Sequence, residues 1–257
     1  LSASPPENLY VWAMRATNTL TLGTDRALYV GELPATGWHR HAAPVLLLGL
    51  SGRFAVHLAP GCVETCHSAL IDMGVWHLFD PCGECVALVY LEPDSSEARS
   101  LRPWLGQQGG VVFDPAARTR TRGCTEARLR SFDLPTLLGQ RFEAAAELDA
   151  RVLRSLQHLR MARDGALPRD QVAQAAHLSA SRFNHLFRQE MGVSFRSYRV
   201  WSQVRAAMAG LATQARLTDA ALHGAFSDSA HFSRTFRQTF GMTPSSVLKP
   251  LREVTLV

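Results

Sequence analysis

Between Trp12 and about Glu92 the apolar positions fall in short runs: Arg26–Leu33, Pro44–Leu50, Arg53–Leu58, Cys66–Ile71, Val75–Phe79 and Cys85–Leu91. The breaks fall at Pro34–Gly37, Ser51-Gly52, Ala59–Gly61, Asp72–Gly74 and Asp80–Gly83, each holding Gly, Pro or Asp, or a Ser-Gly pair. Short runs with turn residues at even spacing predict an antiparallel β-barrel or sandwich, and Ser51-Gly52 predicts a tight hairpin. Past a stretch rich in Pro, Gly and Ser the rhythm changes. Leu148, Val152, Leu156 and Leu159 recur every three or four positions, predicting an amphipathic helix over Phe142–Met161. The expected class is α+β in two domains: a β-unit over 1–100, a linker with candidate dimerisation helices over 101–147, and an all-α unit over 148–257.

The all-α unit contains an internal repeat. The segment Ser181–Gly192 recurs as Ala230–Gly241, so that Phe187 and Phe236, Arg188 and Arg237, Gln189 and Gln238, and Gly192 and Gly241 stand at one fixed offset. A constant offset with matching Phe and Gly marks a duplicated supersecondary unit. Each copy has the grammar of helix, short turn, helix. In the first, a helix from about Asp170 carries Val172, Ala173 and Ala176, the turn is His177–Ser179, and Gly192 is placed for a left-handed cap. In the second, Thr218-Asp219 open a helix through Ala225, the turn is Phe226–Asp228, and a helix from Ser229 stops before Gly241.

Charge follows this division. Residues 1–130 hold 11 Lys+Arg against 12 Asp+Glu, whereas 165–257 hold 11 against 5, so the net charge of +5 sits on the repeat. All but Lys249 of the basic residues are arginines. A basic module joined to a neutral one suits a polyanion-binding half and a half with another task. Apolar runs such as Val45–Leu50 are too short to span a membrane, and the first twenty residues show no charged segment leading into an apolar one, so neither membrane span nor signal peptide is expected.

The phrases Ser179–Gly192, Phe226–Arg237 and Gly241–Ser245, with Arg199, Trp201 and Arg205 between the copies, resemble the DNA-binding domain of the AraC/XylS family of bacterial transcriptional regulators. The resemblance covers about Leu148 to Leu251. One departure is visible, since the family's usual Ala-Gly-Phe before the second turn is Gly224-Ala225-Phe226 here. The resemblance implies two recognition helices set into successive major-groove segments on one face of DNA, joined by a helix over about Phe195–Leu211. Base or phosphate contacts would come from Ser181, Arg182, Asn184, His185 and Arg188 in the first recognition helix, and from Ser229, Ser233, Arg234 and Arg237 in the second. Phe183, Leu186, Phe187, Phe232 and Phe236 belong to the core by helical spacing. The implied partners are operator DNA, RNA polymerase and a second copy in a homodimer, the dimer helix offering Leu148, Val152, Leu156 and Leu159 if these do not pack on the first helix-turn-helix. The implied location is the bacterial cytoplasm, on the nucleoid.

The N-terminal half is similar to the cupin-like effector barrels of such regulators. Gly37-Trp-His39-Arg-His41 and Gly74-Val-Trp-His77 place His39, His41 and His77 as effector-pocket residues, residues two apart on a strand sharing a face. The glutamate of metal-holding cupins is absent, Ala42–Val45 standing in its place. A metal is expected instead from the cysteines. Cys62 and Cys66, and Cys82 and Cys85, lie near turns that a simple meander would bring to one end, as a tetrahedral site for Zn²⁺ or another soft ion. A thiol–disulfide switch and ordinary buried strand cysteines are the alternatives; Cys124 stands alone.

These features set two function classes against each other. One is a DNA-binding regulator whose barrel senses a small molecule or metal. The other is a cupin-type metalloenzyme with a DNA-binding tail, but no nucleophile elbow, phosphate-cradling loop or zinc-protease motif supplies it with a catalytic set. The expectation is a regulator and not an enzyme.

Overall fold

The computed structural model of the chain describes residues 18–115, 129, 133–161, 168–212 and 216–257. Cys124 and the start of the β-pattern at Trp12 lie outside them.

The N-terminal half is built from β1 (Asn18–Leu22), β2 (Arg26–Gly31), β3 (Val45–Gly49), β4 (Phe54–Ala59), β5 (Cys62–Cys66), β6 (Ser68–Ile71), β7 (Leu78–Asp80), β8 (Val86–Leu91) and β9 (Val111–Phe113). They form a larger sheet in the order β1-β2-β8-β3-β6-β9, antiparallel throughout, and a smaller one in the order β5-β4-β7. The unbroken apolar runs have a direct cause: the central strands are buried on both faces. Val45, Leu47, Val86, Leu88, Ala69 and Ile71 point into the core shared with Phe54, Val56 and Phe79 of the smaller sheet. Their neighbours Leu46, Leu48, Ala87, Val89 and Leu70 point the other way, onto Leu101 and Leu105 of α1 (Ser96–Gln107) and onto α2 (Leu134–Leu138). Ser95 caps α1, its Oγ accepting from Ala98 N at 3.1 Å.

The helical half contains α3 (Ala150–Met161), α4 (Arg169–Ala175), α5 (Ala180–Met191), α6 (Phe195–Gly210), α7 (Leu217–His223), α8 (Ser229–Phe240) and α9 (Pro244–Leu248). The pairs α4–α5 and α7–α8 are the two copies of the repeat, and α6 joins them.

Four expectations are corrected. Ser51-Gly52 is no hairpin, because β3 and β4 belong to different sheets and the turn carries the chain from one to the other. The helix expected from Phe142 begins only at Ala150. Across 141–149 the backbone bonds elsewhere: Ala145 N to Ser100 Oγ at 3.0 Å, Asp149 N to the Glu190 carboxylate at 3.1 Å, and Ala146 O from Arg99. Asp149 then takes the first turn of α3 through Arg151 N at 2.8 Å. The boundary at residue 100 cuts α1, and the β-unit continues through β9. Finally, the C-terminal part is not all helix. Its last strand, β10 (Leu251–Leu256), lies parallel to β1 and extends the edge of the N-terminal sheet, so the first and last described strands are neighbours in one sheet.

Candidate nucleic-acid interface and effector pocket

The two copies of the repeat are closed by the same local chemistry. Ser179 Oγ accepts from Arg182 N at 3.4 Å at the head of α5, and Asp228 accepts from His231 N at 2.6 Å at the head of α8. The bound His231 amide, with Ser227 adding to it, holds the Asp228 carboxyl below its ordinary pKa. Both helices stop at glycines in the left-handed region, Gly192 at φ 75° and Gly241 at φ 70°. Phe183, Phe187 and Met191 anchor α5, and Phe232, Phe236 and Phe240 anchor α8. The opposite faces carry polar residues. Ser181, Arg182, His185, Arg188, Arg234 and Arg237 are exposed, while Asn184, Ser229 and Ser233 are half-buried. Ser233 Oγ donates to Ser229 O at 2.7 Å, so its hydrogen is already spent on the helix backbone. Sequence reasoning passed over His231. It is exposed and stands at the repeat offset from Arg182, which is the signal that could have found it.

The barrel holds the tail ends of both recognition helices and leaves their heads free. Arg102 donates to Glu190 O at 2.9 Å and to Gln189 O at 3.1 Å, at the end of α5. Gly37 N donates to Gly241 O at 2.7 Å, at the end of α8. The linker helix is tied by Glu92 at the end of β8, which accepts from Trp201 Nε1 at 3.0 Å and pairs with Arg205 at 2.5 Å. Arg205 also donates to Gly23 O. Burial raises the Glu92 carboxyl's pKa against the pull of Arg205 and Trp201.

Between sheet and helices lies an apolar cavity. Leu20, Leu22, Ala27, Tyr29, Leu33, Leu88 and Tyr90 line it from the barrel, and Trp201, Met208, Phe236, Phe240, Met242 and Val247 from the helices, with Arg205 among them. Beside it stand the three histidines predicted as pocket residues, all buried. An antiparallel bridge between His39 and His77, with reciprocal hydrogen bonds of 3.0 Å, brings them together. Their ring centroids lie 4.2 to 5.8 Å apart, and His41 reaches Tyr90 at 5.1 Å and Trp201 at 6.5 Å. Burial keeps all three neutral. It pushes the His39 pKa down to about 3, with His77 adding to the effect, and lowers His41 and His77 as well. The aromatic and aliphatic lining contributed by α6, α8 and α9 was not foreseen, because those positions carry only core periodicity in the sequence.

The cysteine site is not assembled. β5 was overlooked because four of its five residues are exposed and show no apolar alternation. Adding one strand reverses the end at which each later turn lies. Cys66 stands opposite Phe54 and Cys62 opposite Ala59, at the two ends of β4. The 81–85 turn sits by the Phe54 end, where Cys85 N donates to Ser51 Oγ at 2.9 Å, so Cys62 is remote from Cys82 and Cys85. Cys66 points into the inter-sheet core and Cys85 packs on the helix-covered side of the larger sheet. Burial pushes the Cys66 thiol up to about 12 and raises Cys85, which disfavours the thiolates a soft metal needs. All four are free thiols. The proposed dimer residues are also engaged: Val152, Leu156 and Leu159 are buried in one core with Val172, Ala173 and Phe183 of the first copy, and Leu148 packs against it.

Comparison with known proteins agrees with this division. A family model described as a helix-turn-helix domain matches residues 172–250. The arabinose operon regulatory protein of Escherichia coli K12 is 34% identical over 119 residues, covering 44% of this chain and 41% of that protein. Its counterpart in Salmonella typhimurium is 37% identical over 75 residues, 29% of this chain and 27% of that one. The chain thus aligns with less than half the length of these curated relatives. Solved structures of ToxT from Vibrio cholerae share the fold over most of the chain. One has a TM-score of 0.56 at 12% identity, covering 89% of this chain and all of that one. Another, solved with an unsaturated fatty acid bound, has a TM-score of 0.53 at 13% identity, covering 89% and 96%. The chain thus carries a duplicated helix-turn-helix over residues 172–250, similar to that of the arabinose operon regulators, behind a sheet-rich N-terminal part, and shares the fold of ToxT over most of its length.

Proposed function

We propose that the protein is a sequence-specific transcriptional regulator that reads operator DNA with α5 and α8 and receives its signal in the cavity between barrel and helices. The observation that carries this reading is the placement of the cavity. Its walls include Phe236 and Phe240, from the buried face of the same α8 whose other face presents Arg234 and Arg237. A molecule seated there touches the sheet, the linker helix and the second recognition helix at once. Such a ligand has differential contact with any two arrangements of these elements, which is the thermodynamic requirement for an effector.

The lining selects an apolar ligand, and the fatty acid held by the similarly folded ToxT is of that kind. In the cell the regulator acts in the bacterial cytoplasm, on the nucleoid, and meets RNA polymerase at the promoter. A homodimer would use surfaces other than Val152, Leu156 and Leu159. The test is fluorescence anisotropy of the full chain on its own upstream DNA, with and without an unsaturated fatty acid such as oleate. Salt-sensitive binding that shifts with oleate supports the reading. Binding that never exceeds that to unrelated DNA contradicts it.

A further inference from the structure

We propose that the outer face of the smaller sheet, centred on Leu78 and flanked by Trp38 and Trp76, is the surface on which a second copy of this chain docks. The two sheets close differently. The larger one covers its outer face with α1 and α2. The smaller one sends Phe54, Val56 and Phe79 into the shared core, which leaves Ala55, His57 and Leu78 on its other side. Among the described residues that side stays open to solvent at Trp38, Val63 and Trp76, which are 41%, 46% and 51% exposed.

Strand register joins these side chains into one surface. His57 pairs with Val63 on one side and with Leu78 on the other. The His39–His77 bridge adds residues 38–40 beyond β7, and its antiparallel register sets Trp38 beside Leu78 and Arg40 beside Trp76. The Arg40 guanidinium lies over the Trp76 ring, 5.1 Å from its centroid. Val63, His57, Leu78 and Trp38 thus form a row across the sheet, with Trp76 and Arg40 alongside it. A contiguous apolar patch left in water marks an interaction site, and Trp and Arg are the residues that carry most energy at protein interfaces.

Charge points to a second copy as the occupant. Arg40 and Trp76 stand on one side of the row, and Asp80, two residues past Leu78, stands on the other. A two-fold axis along the row sets each stacked Arg40 against Asp80 of the second copy, while Leu78 and Trp38 meet their own counterparts near the axis. Both groups can make that pair. Stacking uses the face of the Arg40 guanidinium and leaves its N–H edge for a carboxylate. Asp80 has only Oδ1 engaged among the described residues, accepting from Cys82 N at 2.9 Å. A polyanion would be repelled by Asp80, whereas a twin is attracted at both ends. The face also supplies a surface for the homodimer now that Val152, Leu156 and Leu159 are sealed in the helical core. The inference concerns how two copies meet and not whether α5 and α8 read DNA, so either can fail without the other.

The test is sedimentation velocity of the full chain over a concentration series without DNA, with hydrogen exchange at the two ends of that series. A monomer–dimer equilibrium is expected. Trp38→Ser, Trp76→Ser and Arg40→Glu should each weaken it at least about tenfold with circular dichroism unchanged. Leu222→Ser, at an exposed leucine of α7, should leave it as in wild type. Arg40→Glu combined with Asp80→Arg should recover affinity that Arg40→Glu alone loses. In the wild-type protein, dimerisation should slow exchange in peptides covering 36–41, 55–65 and 74–80, a readout that stands even if a variant fails to fold. A monomer throughout the series, a dimer that survives both tryptophan changes, or protection confined to other peptides would overturn the docking face. A double reversal that recovers nothing would overturn the two-fold arrangement.

Discussion

Ala225 shows how one residue's backbone records a departure from the Ala-Gly-Phe phrase of the regulators this segment resembles. It holds φ 58° at the second turn, where a glycine would sit without strain. Its neighbour Gly224 is fixed for a different reason, because a Cβ there would meet Gln203 O at 2.5 Å and Ala207 Cβ at 2.7 Å. Ala225→Gly should therefore raise stability by about 1 kcal/mol in urea denaturation, whereas Gly224→Ala should lower it. A loss of stability in Ala225→Gly would show that the turn is not strained. If α5 and α8 read bases as proposed, Asn184 and Arg234 are the residues to test, one in each helix and neither part of the aromatic core. Replacing either by alanine should weaken specific operator binding by about 1–3 kcal/mol, with an unchanged denaturation midpoint. Equal affinity for wild type and variant in a titration would remove that residue from the interface.

At the scale of elements, β10 is the feature with the widest consequence. It is the chain's last segment, yet it pairs with β1, the first strand described. Removing residues 251–257 should leave the helical unit's secondary structure intact, while lowering the thermal midpoint and loosening the β1–β2 edge in hydrogen exchange. A midpoint equal to wild type would mean that the parallel pairing adds nothing. Elements were legible in the sequence where periodicity and burial agree. The doubly buried strands β3 and β8 and the capped helices α5 and α8 declared themselves by apolar runs and by Ser, Asp and Gly at their ends. β5 and β10 did not, because most of their side chains face solvent and their identity comes from partners distant in sequence. The cysteine proposal failed for that reason, since one unseen strand inverted the order of the turns. Glu143–Asp149 misled in the opposite direction. Its helix-forming composition was overridden by bonds to Ser100, Arg99 and Glu190. The histidine cluster was legible in spacing, but the cavity beside it needed both halves of the chain to be seen together.

For the whole molecule, the central fact is that the barrel and the helical half share one interior. A single core runs from Phe54 and Phe79 of the smaller sheet through Trp201 to Phe236 and Phe240. The Glu92–Arg205–Trp201 contact is the polar pin in this interface. Glu92→Ala should destabilise the protein by on the order of 3 kcal/mol, because it strands a half-buried Arg205 without its partner. It should also broaden or split the unfolding transition as the halves uncouple, and a single unshifted transition would show that the pin is dispensable. The helix tails are held by Arg102 and Gly37 while Ser181, Arg182, Ala230 and His231 at the heads are exposed, so the proposed DNA and effector sites fall at opposite ends of α8.

The account is tested most directly by an anisotropy titration of the full chain against its own upstream promoter fragment and a scrambled fragment, each at two salt concentrations. The account predicts binding to the native fragment at least about a thousandfold tighter than to the scrambled one, with both weakening as salt rises. Equal affinity for the two fragments, or none for either, would contradict it.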